Sequence, residues 1–370
     1  MIYLDYAANT PVEEEVLDVY IKATRKYIAN PNSSHPLGVE ARNEIDECSK
    51  RIAKFFNTEK ESVIYTSGSS ESNNLVLKGI AEMNKNKGNK IIISAIEHSS
   101  IVAPCNYLAM HGYDVSVIPL TKDGMVDLDV LREEMDDKTI LVSICAVDSE
   151  LGTIQPIQEI KNIVKKYDCI FHTDATQAIG KVNINYDGVD FITFAPHKFF
   201  GLNGFGVLIN RNNTKLTPLI HGGKSTTIFR SGTPVTANVI ALDKAFELAT
   251  SKLNERSTYI QKLNNILREE FTNLDCVHIN SPENTIPNTL NISLVGKDTK
   301  NILKELEEHQ IYLSTTTACA LGSAPSKSVL AITGSEELAS NTIRISISHL
   351  TSEEDIHEFI KVFKELLNNN

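Results

Sequence analysis

Short apolar runs alternate with amphipathic stretches over residues 60–210, and this alternation constrains the fold more than any other feature of the sequence. The runs are short and rich in Ile and Val, which is typical of strands buried on both faces of a mainly parallel sheet. We predict strands at residues 63–65, 90–93, 114–118, 140–144, 169–172, 191–194 and 206–209, with helices between them at 75–83, 101–110 and 157–167. This order of elements indicates an α/β domain.

A second, smaller region follows a long helical pattern at residues 237–273. It has predicted strands at residues 290–294 and 343–347 and predicted helices at 300–309 and 353–367, which indicates an α+β domain. With 370 residues, 41% of them hydrophobic, the chain is long enough for two cores. We therefore predict a large domain at residues 13–253 and a small domain formed by residues 1–12 and 254–370.

The composition argues against several classes of partner. Asp and Glu outnumber Lys and Arg by 47 to 36, and a net charge of -11 does not favour binding to nucleic acid. No run approaches the ~20 apolar residues of a membrane span, and the first residues lack the pattern of a signal peptide. We expect a cytoplasmic protein without a membrane anchor. The 6 cysteines show no Cys-x-x-Cys spacing, which argues against a zinc ribbon.

Two charged residues follow buried strands of the predicted sheet. Asp174 comes just after the run at residues 169–172, and Lys198 follows the run at 191–194. Pyridoxal phosphate (PLP) chemistry requires these two groups, because the amine forms a Schiff base and the carboxylate keeps the pyridine nitrogen protonated. The pair therefore predicts a PLP site.

Three further motifs allow both a structural and a functional interpretation. The serines of residues 67–72 either cap a helix or bind a phosphate at its N-terminus. His98, at the end of a predicted strand, is either a capping residue or a group that stacks on a cofactor and moves protons. Cys319 lies among small and polar residues, where it is either an incidental loop cysteine or a nucleophilic thiol.

These motifs occur together and in order in the cysteine desulfurases, PLP enzymes of fold type I (the aspartate-aminotransferase fold), which this chain resembles over nearly its whole length. The resemblance rests on Tyr3-Leu4-Asp5-Tyr6-Ala7-Ala8, Thr66-Ser67-Gly68-Ser69-Ser70-Glu71, Glu97-His98, Asp174-Ala175-Thr176-Gln177, His197-Lys198, Arg230-Ser231-Gly232-Thr233-Pro234, the surroundings of Cys319 and Ile343-Arg344-Ile345-Ser346. It implies a mainly parallel sheet in a large domain, a smaller α+β domain and a homodimer.

The resemblance also implies a role for each motif residue. Lys198 would carry PLP, with Asp174 at the pyridine nitrogen, Gln177 at the ring hydroxyl and His98 stacked on the ring. The remaining cofactor contacts implied are Ser69, Ser70, His197, Ser149 and, from the partner subunit, Thr233.

For the reaction, the resemblance implies conversion of L-cysteine to L-alanine. Arg344, together with Ser149, would bind the substrate, and the planar guanidinium suits a carboxylate. Lys198 would move the Cα proton, and the Cys319 thiolate would take the sulfur as a persulfide. An acceptor protein, such as an iron–sulfur scaffold or a thiolation carrier, would then receive it.

Four positions depart from the pattern of the family. Ser149 replaces an asparagine, and Ala195-Pro196 replaces a Ser-Gly pair whose hydroxyl binds phosphate. The segment 221–226 lacks a Gln-Glu pair, and the segment after Cys319 is about one residue short. Two alternatives stay open on these grounds: another PLP enzyme of the same fold, such as a selenocysteine lyase, C–S lyase or aminotransferase, and a catalytically impaired relay or scaffold subunit.

Overall fold

The computed structural model describes residues 1–315 and 325–369, and within these ranges the chain forms twelve strands and twelve α-helices. The strands are β1 (Ile2–Tyr3), β2 (Val63–Thr66), β3 (Lys90–Ser94), β4 (Asp114–Ile118), β5 (Thr139–Ser143), β6 (Ile170–Asp174), β7 (Phe191–Phe194), β8 (Gly206–Asn210), β9 (Val277–Ile279), β10 (Thr289–Leu294), β11 (Ile311–Tyr312) and β12 (Thr342–Ser346). The helices are α1 (Glu14–Lys26), α2 (Pro36–Phe55), α3 (Ser69–Asn84), α4 (Ser99–Ala109), α5 (Leu128–Glu134), α6 (Ile157–Val164), α7 (Thr236–Ser251), α8 (Leu253–Thr272), α9 (Thr299–Glu308), α10 (Lys327–Thr333), α11 (Glu336–Ser340) and α12 (Glu353–Asn369).

The main sheet has seven strands in the order β2-β8-β7-β6-β5-β3-β4. Strand β8 pairs antiparallel with both of its neighbours, whereas the other pairs of the sheet are parallel. The predicted α/β architecture with a mainly parallel sheet is confirmed. Because the carboxyl ends of parallel strands share one edge of a sheet, residues that follow β3, β6 and β7 come together there.

Both faces of this sheet are buried, and successive residues of one strand contribute to opposite faces. In β3, Ile92 belongs to the apolar cluster on one face, whereas Ile91 and Ile93 belong to the cluster on the other. Helices cover the two faces, which explains the near-continuous apolar runs of the sequence. None of the helices within residues 1–315 and 325–369 is long and apolar enough to cross a membrane.

A second buried cluster forms on a smaller antiparallel sheet. In this sheet β10 lies between β9 and β12, and α8, α9 and α12 pack nearby. Phe271, Phe359 and Phe363 fill the cluster. The long helical pattern predicted at 237–273 consists of two helices, α7 and α8, which meet at Lys252. The division into domains at residue 253 stays a prediction.

The N-terminal segment connects the two sheets. The backbone amide of Leu4 bonds to Tyr312, and the Leu4 carbonyl accepts from the Ser346 amide at 2.8 Å. A few residues later, the Thr10 amide donates to the His197 carbonyl at 3.0 Å. Residues 5–9 are thereby held across the carboxyl edge of the main sheet, beside the predicted PLP site.

Candidate active site

A cavity of about 290 Å³ opens at the carboxyl edge of the parallel strands. Nine of the residues predicted from the sequence line it: Ser69, Ser70, His98, Ser149, Asp174, Gln177, His197, Lys198 and Arg344. Thr233 does not line this cavity and is exposed in the single chain, so its predicted contact from a partner subunit stays a prediction. Cys319 lies outside the described residues.

Lys198 is held at the cavity by the N-terminal segment. It follows β7 in a short 3-10 turn, and its Nζ donates to the carbonyl oxygens of Ala7 at 2.8 Å and Ala8 at 2.6 Å. Thr10 fixes the preceding residue, because its Oγ1 also donates to the His197 carbonyl. These contacts hold the amine at a fixed position on the cavity wall.

Asp174 ends β6 and is buried, with its carboxylate supported by neutral donors. The Asn73 side-chain amide donates to Oδ2 at 2.7 Å, and the Thr176 amide donates to Oδ1 at 2.9 Å. Asn73 is itself oriented by Thr193, whose hydroxyl donates to the Asn73 Oδ1. Among the described residues, no Lys, Arg or His forms an ion pair with Asp174, so the carboxylate faces the cavity without a cationic partner there.

His98 caps the N-terminus of α4, which confirms the structural interpretation of this residue. Its Nδ1 accepts from the Ser100 backbone amide at 3.2 Å and contacts the Ser100 hydroxyl at 2.8 Å. Because an amide can only donate, Nδ1 is the acceptor, and the neutral ring carries its proton on Nε2. Burial lowers the pKa of His98, which keeps the ring neutral at pH 7. The same side chain lines the cavity and therefore also fits the functional interpretation.

The N-terminus of α3 forms an open polar wall of the cavity. Gly68 precedes the helix, and a Cβ built on it would meet no atom within 4 Å. The first turn carries Ser69 and Ser70, and free backbone amides at a helix start favour an anion. His197 lines the same cavity, and burial and the nearby amine of Lys198 lower its pKa to about 4. This wall fits a phosphate group.

Arg344 is almost fully buried and also lines the cavity. Its Nη2 donates to the Asp5 carboxylate at 2.8 Å, and its Nη1 donates to the carbonyl oxygen of Ser149 at 3.1 Å. The Nε atom is buried and bonds to no described residue. Because a guanidinium has five donors, hydrogens remain that can bind a carboxylate.

The residues of the cavity fit PLP. A buried carboxylate without a cationic partner suits a protonated pyridine nitrogen, and the start of α3 suits the phosphate. In addition, Thr176 lines the cavity, and its hydroxyl is buried without a hydrogen-bond partner in the described parts of the chain. A buried polar atom of this kind indicates a group that is held there when the site is filled.

Comparisons with known proteins agree with this geometry. The model of the family "Aminotransferase class-V" matches residues 2–359. "Cysteine desulfurase IscS" of Dictyoglomus turgidum is 37% identical over 371 residues, which cover 99% of this chain and 94% of that protein. This chain belongs to the class-V aminotransferase family and, within it, to the cysteine desulfurases.

Two solved structures superpose on nearly the whole chain. A "NifS-like protein" superposes with a TM-score of 0.93 at 33% identity and covers 100% of both chains. "SspA in complex with cysteine" has a TM-score of 0.83 at 31% identity and covers 95% of this chain and 100% of that one. The predicted fold type I, the dependence on PLP and the assignment to the cysteine desulfurases are confirmed.

Several residues of this desulfurase site were not predicted from the sequence. They are Asp5 beside Arg344, Asn73 beside Asp174, Thr176 on the cavity wall and Lys181 behind Gln177. The motif segments contain Asp5 and Thr176, and Asn73 lies two residues after one of them, but these residue types alone do not indicate a site. The sequence does contain a signal for Lys181: it lies four residues after Gln177, in the segment that follows a predicted strand.

Proposed function

We propose that the cavity around Lys198 converts L-cysteine to L-alanine and that Cys319 receives the sulfur. The observation that carries this proposal is that three groups line one cavity: the Lys198 amine, the Asp174 carboxylate and the Arg344 guanidinium. When bound, PLP supplies an electron-withdrawing ring that stabilises negative charge at the substrate Cα. The protein then has to hold the ring, orient the substrate and move protons.

The cofactor contacts follow from the positions of the cavity residues. Asp174 holds the pyridine nitrogen protonated, since its only bonds among the described residues come from neutral donors. Gln177 presents an N–H to the ring hydroxyl, and the neutral His98 ring stacks on the ring face. The phosphate is held by Ser69, Ser70, His197 and the start of α3, with Thr233 of the second copy of the chain completing the site in a homodimer.

Arg344 orients the substrate, and Lys198 transfers its Cα proton. Arg344 binds the carboxylate of L-cysteine with the donors that Asp5 and the Ser149 carbonyl leave free. Lys198, which the Ala7 and Ala8 carbonyls hold beside the cavity, takes the Cα proton and returns it. The Arg344 side chain is buried and that of Lys198 is partly buried, so bulk water has limited access to both groups.

Sulfur transfer to Cys319 balances without an oxidant. The Cys319 thiolate attacks the substrate sulfur, an S–S bond forms, and the Cβ–S bond breaks. The carbon takes up one proton, so L-cysteine and one thiol give L-alanine and one persulfide. An acceptor protein with a nucleophilic thiol, such as an iron–sulfur scaffold or a thiolation carrier, then removes the sulfur from Cys319.

The two-domain division is part of the same proposal, with residues 13–253 in the large domain and residues 1–12 and 254–370 in the small one. It is supported by the junction of α7 and α8 at Lys252 and by the separate apolar cluster on the smaller sheet. The cavity then lies between the domains, because Arg344 comes from β12 and Lys198 follows β7.

The experiment is to measure alanine released from L-cysteine by the PLP-loaded protein beside the variants Cys319→Ala and Cys276→Ala. Cys276 is a partly exposed thiol away from the cavity and serves as the matched control. We expect turnover and a mass gain of one sulfur atom in the wild type and in Cys276→Ala, and neither in Cys319→Ala. Equal turnover in Cys319→Ala, or none in the wild type, would refute the proposal.

A further inference from the structure

Gln177 is held from two sides, and one of its partners does not line the cofactor cavity. Its Nε2 donates to the carbonyl oxygen of Ala7 at 3.0 Å, and its Oε1 accepts from the Nζ of Lys181 at 2.5 Å. Gln177 lines the cavity, whereas Lys181 does not. Because Oε1 faces the amine of Lys181, the second N–H of Nε2 is the group that Gln177 can present to the cavity.

The local backbone places the two side chains on one face. Residues 175–182 form a helical turn in which the Ile179 and Val182 amides bond to carbonyls four residues earlier. Gln177 and Lys181 are also four residues apart, and the Lys181 Nζ reaches the Gln177 Oε1 across this turn. Gly180 allows this arrangement, because its φ is +75° and an added Cβ would lie 2.8 Å from the Ala249 Cβ.

Lys181 lines a second, small cavity of about 20 Å³ behind the site. Ala7 and Lys198 line both cavities, so Lys181 lies on the far side of Lys198 from the cofactor. Burial and the nearby charges of Lys198 and Arg344 lower the pKa of Lys181 to about 7. The two lysines and the arginine therefore interact electrostatically, although Lys181 does not line the cavity of the reacting groups.

We propose that Lys181 is a positioning residue that fixes the Gln177 amide with Nε2 toward the ring hydroxyl of PLP and, when protonated, adds a positive charge behind Lys198. This inference rests on the proposed contact between Gln177 and the cofactor. Without Lys181, the amide is free to rotate and to present its oxygen to the ring hydroxyl. A hydrogen-bond donor to the ring hydroxyl oxygen of PLP and a nearby cation both lower the pKa of the bound cofactor.

Other charged groups face this region and have to be held constant in a test. Lys198 and Arg344 act on Lys181 directly, whereas Arg256 and His349 line the small cavity with it. Asp174, His98 and His197 line the cofactor cavity on the other side of Gln177. Single substitutions at Lys181 leave all of these groups in place, so a change in titration reports on Lys181.

The test compares PLP-loaded wild type with Lys181→Met, Lys181→Arg and the control Lys166→Met, which removes an exposed lysine. The readouts are the pH midpoint of the visible absorption band of bound PLP and the equilibrium PLP affinity. We expect Lys181→Met to raise the midpoint by about one pH unit and to weaken PLP binding about tenfold. Lys181→Arg should have a pH midpoint and a PLP affinity close to those of the wild type, and Lys166→Met should match the wild type in both.

A wild-type midpoint and affinity in folded Lys181→Met would overturn the inference and leave the proposed function intact. If Lys181→Met does not fold, Lys181→Gln, which removes the charge but keeps a donor, should still raise the midpoint, and an unchanged midpoint in that variant overturns the inference. A wild type without any PLP absorption band overturns the proposed function and this inference together.

Discussion

The Arg344 guanidinium and the Asp5 carboxylate form an ion pair with 2.8 Å between Nη2 and Oδ1, although they lie at opposite ends of the sequence. The same carboxylate accepts from the Ser314 hydroxyl at 3.1 Å. Asp5 therefore orients the group that we propose for binding the substrate carboxylate. It also links that group to Ser314, five positions before Cys319 in the sequence.

Removing the charge of Asp5 should weaken substrate binding. We expect Asp5→Asn to raise the KM for L-cysteine by about tenfold or more, because charge-assisted hydrogen bonds contribute about 1.5–3 kcal/mol. The effect on kcat should be smaller, since Asp5 does not contact the reacting atoms. Steady-state kinetics beside Asp18→Asn, an exposed acid, provide the measurement, and an unchanged KM in Asp5→Asn would contradict the orienting role.

Asn73 should contribute to both stability and cofactor binding. Its side chain is fully buried and bonds to Asp174, Ser100 and Thr193. Asn73→Ala leaves buried partners unsatisfied, so we expect it to lower the free energy of unfolding by about 1–3 kcal/mol and to weaken PLP binding. Urea unfolding of the PLP-free protein and PLP titration measure the two effects separately.

The neighbouring Asn74 is the matched control for Asn73. It is only partly buried, and among the described residues its side chain bonds only to the Ser70 carbonyl, at 3.0 Å. Asn74→Ala should change the free energy of unfolding by no more than about 0.5 kcal/mol. Equal losses in the two variants would show that the buried bonds of Asn73 are not the cause.

Thr176→Val should have opposite effects on the protein with and without PLP. The Thr176 hydroxyl is buried, and none of the described residues bonds to it, so the isosteric valine should leave the PLP-free protein equally or more stable. If the hydroxyl bonds to the cofactor, the same variant loses about 0.5–1.5 kcal/mol of PLP binding. Thermal unfolding and PLP affinity provide the comparison, and unchanged PLP affinity would argue against this contact.

Glu97 should make the stability of the folded protein fall as the pH rises from 4.5 to about 8. Its Oε1 accepts from the Ser94 hydroxyl at 2.6 Å and the Cys145 amide at 2.8 Å, and burial raises the pKa of the carboxyl group from 4.5 to about 8. The folded state therefore keeps a proton that the unfolded state loses above pH 4.5. The stability from this group is fully present below that pH and is lost as the pH rises through about 8.

Glu97→Gln removes this titration and keeps an acceptor for both bonds. Relative to the wild type, the variant should gain on the order of 3 kcal/mol in the free energy of unfolding between about pH 5 and about pH 9. Urea unfolding at the two pH values measures the difference. The control Glu133→Gln replaces an exposed acid and should show the same pH dependence of the free energy of unfolding as the wild type. The same pH dependence in Glu97→Gln would show that Glu97 is not the group responsible.

The sequence predicted the main sheet well but missed parts of its helices. The strands agree with the apolar runs within one or two residues, because burial on both faces requires such runs. Helix α3, however, begins at Ser69, six residues before the predicted start at residue 75. Its first turns are polar and lack an apolar period, and Asn73 is buried there because of its bonds to other elements.

The predicted domain boundary at residue 253 falls beside the junction of α7 and α8 at Lys252, but the break in the helix was not predicted. No Pro or Gly lies at that point, and the residues around it favour a helix. The backbone departs from helical geometry there, with a ψ of 7°, where the first helix ends on one apolar cluster and the second begins on another. Packing of the two clusters, rather than local propensity, determines this break.

The sequence by itself determined the strands of the sheet and the position of Lys198 and Asp174 at strand ends, because both depend on local pattern and on residue chemistry. Only the tertiary structure decided which groups surround them. The Ala7 and Ala8 carbonyls on Lys198, Asn73 on Asp174 and Asp5 on Arg344 are contacts between distant segments. Backbone carbonyls and single polar side chains occur throughout any chain, so their role depends on the distances and angles that folding creates.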